Sequence, residues 1–388
     1  MKTFSEFLLL ETEEKLKHLE HLEDHPINAG MKGFSHAVNT LFSVHHALTG
    51  RRSSPATIST KFDGSPSIVF GHHPVTNKFF VATKSAFNKD PKLNFSPTDI
   101  QKHHGHAPGL VSKVTHALKY LPKVTPKGKV FQGDLMYAKD DNDVKETPKQ
   151  FKIKPNTITY SVGKGSPEGA KIKGAKIGVA VHTSYSGKSL EDMKAEFNAD
   201  TSHFKDDRNV HKISTRLDTS KVHYPDHHQK EYVKHVQSAM KEHEKLGDYR
   251  HLEGHEGTVK LYINSTVRAG TNPNAAGYKK FMEDRAANDV AKYKTPQGQE
   301  NRRKMYSAVL SHIDTHNASF DTMFKAHSHL QNAKNVLVRA LETSKGDYSH
   351  SIGGKKTSPE GFVVSVKNRP TKFVNRQVFS AANLNKNK

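Results

Sequence analysis

Apolar residues recur at Phe4, Phe7, Leu8, Leu10, Leu16 and Leu19, and this spacing predicts an amphipathic helix over the first 24 residues. From Ile58 to Val81 the pattern shifts to short β-branched and aromatic runs, "TISTKF", "SIVFG" and "KFFVAT". The turn residues of "DGSP" and "HHPVTN" separate them, so the stretch predicts strands joined by tight turns. Residues 98–121 return to helical spacing in "GLVSKVTHALKYL", closed by Pro122. Three more strands follow in "KVFQGDLMY", "NTITYSV" and "KIGVAVHTSYSG".

After about Ser189 the segments "SLEDMKAEF", "HQKEYVKHVQSAMKEHEKL", "AGYKKFMEDRAANDVAKY" and the long run from Arg302 to Ser344 predict basic helices. A strand-like piece, "GTVKLYIN", interrupts them. The last segment, "EGFVVSVKNRPTKFVNRQVFS", predicts strand–turn–strand with Asn368 and Pro370 in the turn. No fixed-period repeat is present. The expectation is an α+β protein: an N-terminal helix (1–24), a β-rich core built from 25–189 and 350–388, and a mainly helical basic insertion (190–349).

Charge narrows the partners. The 388 residues carry 60 Lys and Arg against 39 Asp and Glu, a formal net charge of +21, with 27 histidines that add charge as the pH falls. Such a surface attracts polyanions, and nucleic acid is the first partner it predicts. No segment approaches the roughly 20 apolar residues of a membrane-spanning helix, so a membrane partner is not expected. The chain has no cysteine, which excludes disulfides, thiolate catalysis and cysteine-based zinc sites. Histidine pairs such as His103-His104 lack an H-E-x-x-H helix and predict solvated or phosphate-contacting side chains rather than zinc ligands.

Candidate chemistry begins at "KFDGSP". By itself Lys61-x-Asp63-Gly64 is satisfied by a hairpin turn, because Asp-Gly is a favoured turn pair. What raises its weight is the order of later segments: "VFQGDLMY", "KIGVAVHTSY", "EGFVVSV" and the lysine-bearing strand "TKFVNR". This series resembles the covalent nucleotidyltransferase superfamily of ATP-dependent polynucleotide ligases and capping enzymes. The same stretches, with "AFNKDPK" and "ALKYLP", look like a group of tailed-phage proteins carrying a KxDG(S/A)P motif.

The resemblance implies an antiparallel-sheet adenylation core, ATP and Mg²⁺ as cofactors, and Lys61 as the nucleophile that forms a lysyl-AMP. Asp63 and Gly64 complete the first motif. Asp134 stands where the family usually places Glu, Glu360-Gly361 matches the fourth motif, and Lys372 or Lys367 the fifth. Lys84 lies where a basic residue meets the ribose or the incoming phosphate, and Asp134 and Glu360 are the implied metal ligands. A rival fourth motif is "GHEGTVKLY", with Glu256-Gly257 and Lys260. Glu360 is preferred because a second, lysine-bearing strand follows it after a short turn.

Lysine chemistry requires local deprotonation from an ordinary pKa of about 10.4, which nearby cations, desolvation and a divalent ion favour. Sixteen residues follow Lys372, too few for a C-terminal OB domain, so the expected arrangement is RNA-ligase-like with the helical insertion as substrate module. The expected function is an ATP-dependent polynucleotide ligase, with RNA ends favoured over DNA ends. The alternative is a basic nucleic-acid-binding phage head protein that keeps the fold without activity. "MKTFSEFLLLE" resembles the capsid-targeting sequences of internal head proteins, cut after a Leu-x-Glu pattern supplied by Leu9, Leu10 and Glu11. The expected location is therefore the host cytoplasm or, if the segment targets the prohead, the virion head.

Overall fold

The computed structural model describes residues 19–50, 54–344 and 346–377. The predicted N-terminal helix and its cleavage pattern at Leu9–Glu11 lie outside these residues, apart from the end of the segment. The chain is an α+β protein with largely antiparallel sheets and falls into two compact units. One comprises residues 57–218 and 344–370, the other 20–56, 219–343 and 371 onward. The boundaries thus differ from the expected ones. Residues 25–56 group with the helices, and 190–218 group with the sheets. Among the described residues no helix is long and apolar enough to cross a membrane.

Among the described residues the first α-helix is α1 (His25–Leu48), followed by β1 (Ala56–Lys61), β2 (Ser67–His72) and β3 (Phe79–Ala82). The helices α2 (Pro97–His104) and α3 (Pro108–Tyr120) follow, then β4 (Val130–Ala138), β5 (Val144–Glu146), β6 (Gln150–Ile153), β7 (Thr159–Gly163) and α4 (Pro167–Gly174). Next come β8 (Ile177–Ser186), β9 (Lys194–Phe197) and β10 (Val210–Ser214). The long helices are α5 (Asp226–Leu246), α6 (Glu256–Ala269), α7 (Ala275–Val290), α8 (Pro296–Thr315) and α9 (Asn317–Leu341). The hairpins β11 (Tyr348–Ile352)–β12 (Lys355–Thr357) and β13 (Gly361–Val366)–β14 (Arg369–Phe373) are the last elements among the described residues.

In the sheet unit, a six-stranded sheet has the order β10-β8-β4-β2-β3, with β9 paired to β8. Only its β10–β8 pair is parallel. Ile68 and Phe70 of β2, Phe131 and Leu135 of β4 and Val179 and Val181 of β8 share one face. They pack on Ile100 of α2 and Val114 and Ala117 of α3. The other face carries Val69, Phe80, Ala82, Val130 and Tyr185. Because β2 is buried on both faces it reads as an unbroken apolar run, as a central strand must. A second sheet has the order β12-β11-β7-β6-β5, and a third the order β1-β13-β14.

Four local expectations are corrected by the structure. The predicted helix over residues 98–121 is two helices, because α2 ends at Gly105 and Pro108 opens a new first turn. "SLEDMKAEF" is not helical: Ser189 accepts from the Asp192 N–H in a local turn, and Lys194–Phe197 then pair with the free edge of β8. "GTVKLYIN" is not strand-like but lies inside α6, where Val259, Tyr262, Ile263, Thr266 and Val267 are buried at helical spacing. The long basic run from Arg302 is broken at His316, between α8 and α9.

The helical unit is centred on α9, which is buried along most of its length and carries Lys334 with no exposed surface. Lys334 Nζ donates to both carboxylate oxygens of Glu23 at 2.9 Å. Beside it, Asp24 accepts from Arg376 Nη1 at 2.9 and 3.1 Å and pairs with His327 Nε2 at 3.0 Å. Burial opposes the Glu23 carboxylate, but Lys334, His21 and Arg376 together hold its pKa down at about 2.

Burial also pushes His21 down to about 3 and His251 down to about 4, so both are neutral in the folded chain at pH 7. Their stability contribution has a defined sign. As pH falls below about 6.5 the unfolded chain takes up these protons and the folded chain does not, so stability falls by about 1.4 kcal/mol per pH unit for each histidine. Glu23 adds a second loss below its unfolded pKa of about 4.5. Urea midpoints followed by circular dichroism are therefore expected to drop steadily from about pH 6.5 downward, and a midpoint flat to about pH 5 contradicts this.

Candidate active site

Lys61 is the last residue of β1. The Thr60 N–H donates to the Thr215 carbonyl at 2.7 Å and the Leu217 N–H to the Ile58 carbonyl at 2.9 Å, so β1 is held by the chain leaving β10 as well as by its own small sheet. Lys61 Nζ donates to both oxygens of Glu360 at 2.6 Å. Their side chains are 27% and 14% exposed, so the pair is recessed but reachable from solvent. Glu360 precedes Gly361, whose φ of 144° lies in a region that side chains disfavour. That conformation is where the chain bends into β13.

Burial works against the Lys61 ammonium, but the Glu360 carboxylate, assisted by Asp134 and Asp63, outweighs it and holds the lysine pKa above its ordinary value. Burial pushes the Glu360 carboxyl above the usual carboxylate range, and Lys61 only partly offsets this. The isolated protein therefore holds Lys61 as a paired ammonium.

The loop after β1 is pressed flat onto β4. A Cβ at Gly64 would lie 2.5 Å from the Cβ of Asp134 and 3.1 Å from the Leu135 carbonyl oxygen, so only glycine fits. The Ser65 N–H donates to the Leu135 carbonyl and the Leu135 N–H to the Pro66 carbonyl, each at 3.0 Å. Asp134 is thereby fixed beneath the loop, 3.8 Å from Nε2 of His182 on β8. Gly64→Ala is expected to cost about 1–3 kcal/mol of stability by overpacking and to displace Lys61 from Asp134. Thermal unfolding checks the first effect; a melting point equal to the wild type's would show that the loop is not so confined.

Asp63 serves the scaffold. Its carboxylate accepts from the Thr157 N–H at 2.8 Å, the Ile158 N–H at 3.2 Å and Asn156 Nδ2 at 2.9 Å, while its own N–H donates to the Tyr160 hydroxyl at 2.6 Å. Its oxygens are thus occupied, and Asp63 pins the 156–158 loop to the Lys61 turn rather than presenting a free carboxylate to a ligand.

Of the residues singled out from the sequence, Lys61, Asp63, Gly64, Asp134 and Glu360 come together. Lys84 is exposed on the short 3₁₀ turn after β3 and makes no ion pair among the described residues. Lys367 does not face the site: with φ values of 49° and 60°, Lys367 and Asn368 form the two-residue β13–β14 turn. Pro370, expected in the turn, lies in β14. Lys372 also lies on β14, and its N–H donates to the Glu20 carbonyl at 2.8 Å. The rival Glu256 is the first residue of α6 and Lys260 bonds Asn28, so "GHEGTVKLY" is a helix start in the other unit.

Sequence reasoning missed Tyr160, His182 and Lys113, whose Nζ lies 3.3 Å from the Ser65 carbonyl and 3.4 Å from Asp143. His182 alone carried a signal, as the polar residue that ends the apolar run Ile177–Val181. Among the described residues no three His, Asp or Glu side chains cluster as a metal-binding group. Asp134 and Glu360 remain as two carboxylates near Lys61, a donor set suited to a Mg²⁺ that keeps waters and phosphate ligands rather than to a closed protein cage.

The fold and the site define an α+β protein in which a recessed lysine–glutamate pair sits against a carboxylate on an antiparallel sheet. The chain belongs to a family of unknown function (DUF6267), whose model matches residues 16–388. No curated protein and no solved structure matches it.

Proposed function

We propose that the protein is an ATP-dependent, ligase-like nucleotidyltransferase that forms a lysyl-AMP at Lys61 and acts on polynucleotide ends. The observation that carries this reading is the bidentate Lys61–Glu360 pair, which joins the first and fourth motifs of the resemblance across 299 positions of sequence. The Asp134 carboxylate lies under the same loop.

In the proposed step Nζ of Lys61 loses its proton and attacks the α-phosphorus. An N–P bond forms, the P–O bond to the β-phosphate breaks, and pyrophosphate carries away the electron pair. Glu360, whose carboxyl burial favours protonated, is the group placed to receive the proton. With Glu360 taken up by the proton in this step, Asp134 is the residue that would hold Mg²⁺, which would supply charge neutralisation on the phosphates when bound. Because the resting Lys61 pKa is raised, adduct formation is expected to speed up as the pH rises above 7.

The test is incubation with ATP and Mg²⁺ followed by intact mass and peptide mapping. A mass gain of one AMP on the Lys61 peptide is expected, and no adduct with any of several divalent metals sinks the reading. The net charge of +21 favours one second reading, a nucleic-acid-binding protein without catalysis. It predicts salt-sensitive binding and no adduct.

A further inference from the structure

The five-stranded sheet has two unlike faces. Phe151, Ile153, Tyr160 and Val162 are buried on the inner face, where the Tyr160 ring meets Phe62. The outer face is set by register: Lys145 pairs with Lys152, Lys152 with Ser161, and Ser161 with Ser349, so one straight row crosses β5, β6, β7 and β11. One step along β11, Ser351 pairs with Lys356 on the edge strand β12. At about 4.8 Å between strands the row spans about 14 Å, and Lys356 extends it by one strand more.

Lys145, Lys152, Ser349 and Lys356 are exposed, and Ser161 and Ser351 are half-exposed. Within these strands no Asp or Glu shares this face. Glu146 pairs in register with Phe151 and therefore belongs to the other face. None of the three lysines forms an ion pair among the described residues, whereas Lys164 and Lys171 in the same unit do. Sheets usually balance charge across neighbouring strands, and like charges directly opposite, as in Lys145–Lys152, cost stability. A face that juxtaposes cations and surrounds them with small hydroxyls is matched to a row of phosphates, which lysine meets as a point charge and serine as a donor. It carries no aromatic side chain for base stacking, so it suits backbone contact without sequence readout.

We infer that this outer sheet face is a docking surface for the phosphate backbone of a polynucleotide, with Lys145, Lys152 and Lys356 as its charged contacts. The inference rests on the proposed polynucleotide substrate. The 156–158 loop that links β6 to β7 is the segment pinned by Asp63, so one end of this sheet is tied to the Lys61 turn, which meets the inner face through Phe62.

The experiment is titration of fluorescent single-stranded and duplex oligonucleotides, in RNA and DNA forms, with the wild type and with the triple variant Lys145→Ala/Lys152→Ala/Lys356→Ala, over a range of salt. Three lost phosphate contacts are expected to weaken low-salt binding about tenfold or more and to reduce the slope of log affinity against log salt by about 2–3. The corresponding Lys→Arg triple variant is expected to restore both. Self-adenylylation measured on the same samples is expected to be unchanged. Unaltered affinity and slope in the alanine variant overturn the docking surface whatever the adduct assay shows, as does binding to anionic lipid vesicles that falls while oligonucleotide binding does not. Loss of the adduct in the wild type bears on the proposed chemistry alone.

Discussion

Lys61→Arg protein incubated with ATP and Mg²⁺ is expected to form no AMP adduct, a fall on the order of a thousandfold or more from the wild type. Arginine preserves the ion pair with Glu360 and so keeps the buried carboxylate matched, but its guanidinium does not deprotonate in proteins. The substitution therefore removes the nucleophile while leaving the electrostatics of the site nearly intact. Lys61→Ala is expected to abolish the adduct too, with a second effect: it leaves Glu360 buried without its cation. Part of that cost is relieved because burial already favours the protonated Glu360. Comparing the two variants separates chemistry from stability. An adduct that persists in Lys61→Arg would move the nucleophile elsewhere.

Lys334→Ala is expected to destabilise the protein by about 3–5 kcal/mol, the cost of stranding a fully buried carboxylate. Lys334 and Glu23 both have no exposed surface, and the two 2.9 Å contacts are the partners shown for those Glu23 oxygens at hydrogen-bond distance. Lys334→Ala also removes side-chain volume from the centre of α9, which adds a packing loss. The electrostatic part is isolated by the double variant Glu23→Gln/Lys334→Met, in which both charges are replaced together. It is expected to recover much of the loss, since buried pairs are costly to break and cheap to replace. Urea midpoints of the single and double variants decide this. A Lys334→Ala stability within about 1 kcal/mol of the wild type would show that Arg376, 3.7 Å from Glu23, compensates the carboxylate by itself.

Both sites depend on residues far apart in sequence, and this sets what could be foreseen. The strands from β1 to β4 and β8 were legible because alternating or unbroken apolar runs fell between turn residues. So were the helices whose apolar residues recur at three and four positions. The "GTVKLYIN" segment was misread because Val, Tyr and Ile suit a strand equally well. Only burial along the α6 stripe separates the two readings. "SLEDMKAEF" was misread for the opposite reason: its helical composition gave way to the unpaired edge of β8, a partner no local window contains.

The sequence by itself determined the strong positive charge, the absence of thiol chemistry, the strand–turn chemistry around "KFDGSP" and the order of motifs that singled out Lys61. It also favoured Glu360 over Glu256; in the fold Glu360 lies against Lys61 and Glu256 opens a helix. Only the tertiary structure decided that Asp63 is spent on holding the 156–158 loop and that Lys367 is a turn residue. It alone joined Glu23, Asp24, Lys334 and Arg376 into one buried charge cluster. The physical reason is the same in each case. Local pattern fixes which face of an element is apolar, whereas ion pairs and close backbone approaches are set by which elements meet.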